Sequence, residues 1–70
     1  MMDWHDDTAH QASTLVVEPY RCRVWRTALG TWTAVVSRRG GGTDASSFAT
    51  AEEAKAWCEA RVTDGTARTG

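Results

Sequence analysis

Seventy residues with a net charge of −1 leave room for one small domain and exclude a global electrostatic pull toward nucleic acid. Hydrophobic residues at 41% and charged residues at 24% are the balance of a globular protein, and no apolar run approaches the roughly 20 residues of a membrane span. Cys22 and Cys58 are too few and too widely spaced for a disulfide framework or a zinc pattern; they read as buried, reduced thiols.

The charge lies in blocks. Residues 1–18 carry Asp3, Asp6, Asp7 and Glu18 and no Lys or Arg, whereas residues 19–39 carry Arg21, Arg23, Arg26, Arg38 and Arg39 and no acid. The last 31 residues are mildly acidic again. The basic block coincides with the clearest strand patterns, and its plainest reading is a solvated sheet face with arginine stems lying over apolar surface. The acidic start lacks the hydrophobic segment of a secretory signal, so the expected location is cytoplasmic.

Residues 1–14 are polar, acidic and without periodicity, which predicts a disordered tail. His5 and His10 beside aspartates form at most an adventitious metal site, and no metal or other cofactor is expected. Folded back over the arginines, the tail would screen them, and removing it would then strengthen binding to DNA. Leu15-Val16-Val17 is a short apolar run before Pro19, fit to pair at an edge or tuck under the core. Residues 20–27 alternate as a strand, with Tyr20, Cys22 and Val24 on one face and Arg21, Arg23 and Trp25 on the other. Ala28-Leu29-Gly30 makes the turn, with Gly30 free to take a positive φ. Residues 31–37 return antiparallel, Trp32, Ala34 and Val36 on the apolar face and Thr31, Thr33, Val35 and Ser37 on the mixed one. Arg38-Arg39 and three glycines form a flexible connection, and residues 44–48 make a short third strand with Phe48 turned to the core.

A helix follows. Thr50 is an N-cap, Glu53 three residues later completes a capping box, and Glu52 and Glu53 favour the positive end of the helix dipole. Ala51, Ala54, Trp57, Cys58 and Val62 recur at helical spacing and form the buried stripe. Glu52, Lys55 and Glu59 lie on the opposite side, with Lys55 and Glu59 one turn apart. Asp64-Gly65 ends the helix and residues 65–70 fray. The expected architecture is α+β: a three-stranded antiparallel sheet with one C-terminal helix packed on one face, in the order βββα. It occupies residues 15–64, with Trp32 and Trp57 in the interface. Cys22 and Cys58 fall in that same layer, near enough for a disulfide to be an option under oxidation.

The face away from the helix then shows Arg21, Arg23, Trp25 and Thr33, flanked by Arg38 and Arg39. Guanidinium groups beside an aromatic on a flat sheet suit phosphates and guanine edges. They equally suit a protein-interaction surface, where Trp and Arg are favoured anchors. No nucleophile–base pair or phosphate-cradling loop is present, so no enzymatic activity is expected.

The pattern Gly30-x-Trp32-x-Ala34-x-Val36, a glycine-rich turn, and then Ser47-Phe48-Ala49-Thr50-x-Glu52-Glu53-Ala54-x-x-Trp57 resembles the N-terminal arm-type DNA-binding domain of phage integrases. It is also similar to the plant ethylene-response-factor type of domain. The resemblance spans residues 20–62. It implies a three-stranded antiparallel sheet backed by one helix, with the exposed sheet face laid into the major groove. It further implies that Arg21, Arg23 and Trp25 hold the positions of the DNA-contacting arginine and aromatic residues. The expected partner is therefore duplex DNA, held by Arg21, Arg23, Trp25, Thr33, Arg38 and Arg39. The alternative is a protein partner on the same face or on an edge strand. A monomer is favoured.

Overall fold

The alternating patterns of residues 20–26 and 32–38 produce the two longest strands, but they do not stand alone. The computed structural model describes residues 3–68, the last four of these by backbone only. Its elements are β1 (His5–Asp7), β2 (Ala12–Val17), β3 (Tyr20–Arg26), β4 (Trp32–Arg38), β5 (Thr43–Phe48) and α1 (Ala51–Arg68). The strands form one sheet in the order β1-β2-β3-β4-β5, each antiparallel to its neighbour.

This corrects the expected three-stranded sheet. The two additional strands come from the segment read as a disordered tail and from the apolar run after it. Their pairing has a physical cause. With three strands, β3 would be an edge strand with a row of unpaired backbone groups and a bare apolar flank. β2 pairs along the whole of that edge, from Ala12 opposite Trp25 to Val17 opposite Tyr20, and brings Leu15 over Cys22. Leu15 is 1% exposed, and full burial of such a side chain stabilises by about 1.5–3 kcal/mol. β3 thereby becomes the central strand of five.

One face of the sheet carries the helix. Leu15, Cys22 and Val36 lie across it in one row, and Val24 and Ala34 in the next. Ala54, Cys58 and Val62 of α1 close the core over them. Trp32, Phe48 and Trp57 pack half-buried at its margin, so both tryptophans expected in the interface are there. The Phe48 and Trp57 rings are tilted, with centroids 5.8 Å apart. Alanines on both sides of the seam, Ala34 and Ala54, are fully buried and let the helix lie close to the sheet. Gly30 takes φ +86° in the β3–β4 turn, where Thr27 and Thr31 close the hairpin through both backbone and hydroxyl bonds.

The N-cap forms as the sequence predicts: the Glu53 amide donates to Thr50 Oγ1 at 3.2 Å, and the Thr50 hydroxyl donates in turn to the Glu53 carboxylate. The helix does not stop at Asp64-Gly65 but continues to Arg68. One glycine costs a helix only about 1 kcal/mol relative to alanine, too little to end it there. The expected fraying at 65–70 extends to residues 69 and 70, which lie outside the described residues.

Lys55 and Glu59 also depart from the solvent-facing role assigned to them. The chain start crosses α1 on its way into β1. Trp4 Nε1 donates to Glu59 Oε2 at 2.8 Å, and Lys55 Nζ sits 5.6 Å from the Trp4 ring centroid and 3.1 Å from Asp6 Oδ1. Ser13, itself buried, donates its hydroxyl to the same Asp6 oxygen at 2.6 Å. The Ser13 hydrogen bond, with Lys55 behind it, holds the Asp6 carboxyl below the usual carboxylate range. The acidic segment is therefore bound to the helix and to β2. One of its carboxylates, Asp7, lies by register on the face that carries the arginines.

Cys22 and Cys58 are both free and fully buried, facing each other across the sheet–helix seam. The hydrogen bond between the two thiols, reinforced by burial, pushes the Cys58 thiol far above its ordinary value. Among the described residues no helix is long and apolar enough to cross a membrane.

Candidate nucleic-acid interface

Strand alternation and register assign the face opposite the helix row by row. Asp7, Ala12, Trp25, Thr33 and Ser47 share the first row, and His5, Thr14, Arg23, Val35 and Ala45 the second. Val16, Arg21, Ser37 and Thr43 make the third. Arg21, Arg23 and Trp25 thus run down the middle of the sheet on β3. The residues beside them on β2, β4 and β5 are small or β-branched and uncharged, so the arginines stand above their surroundings. The Arg23 guanidinium lies 5.6 Å from the Trp25 ring centroid, within cation–π reach, which gives the pair a defined orientation.

A shallow hollow of about 730 Å³ runs along β2 and β3 beside this ridge, bordered by Asp7, His10, Ala12, Arg21, Arg23 and Trp25. Of the strand carboxylates, register places Asp7 on the open face. His10 occupies Asp7 through a 2.7 Å contact from Nδ1 and a 3.3 Å backbone N–H bond, and the ring contact is the first cause of its lowered carboxyl pKa. Three other acids are engaged on the helix side. Asp6 and Glu59 hold the chain start, and Asp44 turns to the helix side of β5, where Arg61 reaches it at 3.3 Å. Arg61 also stacks on Trp57 at 5.1 Å. Among the described residues no carboxylate pairs with Arg21, Arg23 or Arg38.

The six expected contact residues are therefore not all coplanar. Arg21, Arg23, Trp25 and Thr33 share the open face. Arg38 is the last residue of β4, opposite Tyr20, and by alternation belongs to the helix side. Arg39 follows in the turn, exposed, with its Nη1 4.0 Å from Glu18 Oε2. Both are held at the end of the sheet by the Arg39 amide, which donates to the Pro19 carbonyl at 2.8 Å and ties the two turns there together. The sequence did not reveal Ala12 and Thr14, which widen the open face, because the segment holding them lacked a strand pattern. No group of three or more His, Cys, Asp or Glu side chains among the described residues is arranged to hold a metal ion.

Neither a protein-family model, nor a curated protein, nor a solved structure matches this chain.

Proposed function

We propose that the protein is a non-enzymatic module that binds duplex DNA through the open face of its sheet. The observation that carries this reading is the segregation of charge. Arg21 and Arg23 stand on the open face of β3, and Arg38 at the sheet end, without carboxylate partners among the described residues, while Asp6, Asp44 and Glu59 are engaged on the helix side. The mode of contact differs from the one implied by the resemblance. Five strands spaced about 4.8 Å apart make a sheet roughly 19 Å across, and the major groove is only about 12 Å wide. The face therefore rests on the rims of the groove. Arg21 and Arg23 meet phosphates from the face and Arg38 and Arg39 from the sheet end, while Trp25 and Thr33 lie nearest the base edges. A cytoplasmic setting, which keeps Cys22 and Cys58 reduced, accords with this role.

Four phosphate contacts give a slope of log affinity against log salt of roughly −3 to −4. Binding of random-sequence duplex should then weaken by about a hundredfold between 50 and 200 mM salt, with amide shifts confined to residues 12–16, 20–26 and 33–39. Arg23→Gln should lower the slope by about 1 without unfolding the domain. Flat salt dependence, or shifts centred on α1, would overturn the reading.

The second reading is a protein partner on the same face, and the uncharged rows around Trp25 favour it. Small side chains surrounding one aromatic–arginine pair are the layout of a binding hot spot with a water-excluding rim. It predicts that Trp25→Ala abolishes binding while salt leaves it nearly unchanged.

A further inference from the structure

At the end of the sheet where β2 turns into β3 and β4 leaves for β5, an open cavity of about 310 Å³ is bordered by three arginines, Arg21, Arg38 and Arg39. Tyr20, Ser37 and Glu18 also border it. The three arginines border it from different sides. Arg21 comes from the open face of β3, Arg38 from the helix side of β4, and Arg39 from the turn, held by its amide on the Pro19 carbonyl. Arg21 and Arg38 have no carboxylate partner among the described residues. The one acid present, Glu18, is only 4.0 Å from Arg39, and both side chains are largely in water, a geometry that contributes little.

Like charges gathered around one concavity repel, and a bound dianion relieves that repulsion. Guanidinium forks match the oxygens of a phosphoryl group better than they match a spherical halide. We propose that this cavity is a phosphate-binding site that receives a single phosphoryl group. It overlaps the duplex-binding reading at Arg21, Arg38 and Arg39 but does not depend on it, because Arg23 and Trp25 do not border the cavity. The phosphoryl group could be that of a small phosphomonoester or the terminal phosphate of a nucleic acid strand; the chemistry recognised is the same.

The test is a two-dimensional amide NMR titration of the whole chain with inorganic phosphate, against sodium chloride at matched ionic strength. Expected is a saturable shift of residues 18, 20, 21 and 37–39 with phosphate only, with the apparent dissociation constant raised about tenfold or more in Arg38→Gln. Lys55→Gln, on the far side of the sheet, should leave it unchanged. A linear, unsaturable response, an equal response to chloride, or full retention of binding in both Arg21→Gln and Arg38→Gln would overturn the site. Both arginines are exposed, and an unchanged spectrum away from the cavity verifies folding. Duplexes with and without a 5′-phosphate separate the sources. Tighter binding of the phosphorylated duplex places a strand terminus in the cavity, and equal binding with phosphate binding intact leaves it to small phosphomonoesters. Phosphate binding without any duplex binding would end the DNA reading and keep the cavity; duplex binding without phosphate binding would do the reverse.

Discussion

The indole of Trp4 and the carboxylate of Glu59 are 55 residues apart in the chain and 2.8 Å apart in space. This bond joins the segment before β1 to the middle of α1. It is partly buried and charge-assisted, so Trp4→Phe, which keeps the ring and removes the donor, should cost about 1 kcal/mol. Urea denaturation of the variant checks this. An unchanged midpoint would mean that the chain start rests on the helix without holding it.

Asp6 makes the same attachment sensitive to acid. Its carboxyl pKa is lowered by Ser13 and Lys55, so the folded state favours the ionised form. The stabilisation is complete above the ordinary carboxylate range and is lost as pH falls through the lowered folded value. Hydrogen-exchange protection of β1 should therefore decline on the acid side of about pH 4, and Asp6→Asn should start from lower protection and respond less. Asp7, lowered by His10, acts in the same direction and accounts for a residual slope. Protection rising toward low pH would contradict the geometry.

Leu15 distinguishes a five-stranded fold from a three-stranded one. In the smaller sheet it would lie outside the core. Here it is buried on Cys22, and Leu15→Ala should destabilise by about 2–5 kcal/mol, much of the stability of so small a domain. Deleting residues 1–14 should likewise loosen the fold, because it removes β1 and half of β2. A deletion variant with native dispersion in its proton spectrum would show that β3 tolerates being an edge.

The paired thiols should be silent in the native state. Cys22 and Cys58 are inaccessible, and the Cys58 thiol is pushed up by its neighbour and by burial. Alkylation at mildly alkaline pH should run on the order of a hundredfold slower than in denaturant, limited by opening of the seam. Fast labelling of one cysteine would mean that the helix lifts readily from the sheet.

The central hairpin and the helix were legible in the sequence because each carries a redundant signal. In residues 20–26 and 32–38 the alternation is unbroken, and at Thr50–Glu53 cap, charge and stripe agree. The first hairpin carries none of these. His5-Asp6-Asp7 has no apolar residue, and Ala12–Val17 mixes small, polar and branched side chains with only Leu15 fully buried among its hydrophobics. Its pairing is dictated from outside, by the unfilled edge of β3. One signal was available: Trp4 is a large apolar side chain that gains from cover, in a stretch otherwise reading as solvent-loving. The arginine face was legible as residues but not as geometry. That Arg38 points to the helix side, and that Glu18 and Arg39 meet at a cavity, depends on where two turns stop.

The strictly sequential order of the strands carries a consequence for synthesis. Each strand finds its partner in the segment made just before it, so the sheet can zip up as the chain emerges. The cover for its apolar face is encoded after all five strands. Until Ala54, Cys58 and Val62 leave the ribosome, the nascent sheet presents Leu15, Cys22, Val24, Ala34 and Val36 to the cell uncovered. The nascent sheet is thus most adhesive just before α1 is translated, and a stall within that helix would leave an aggregation-prone product.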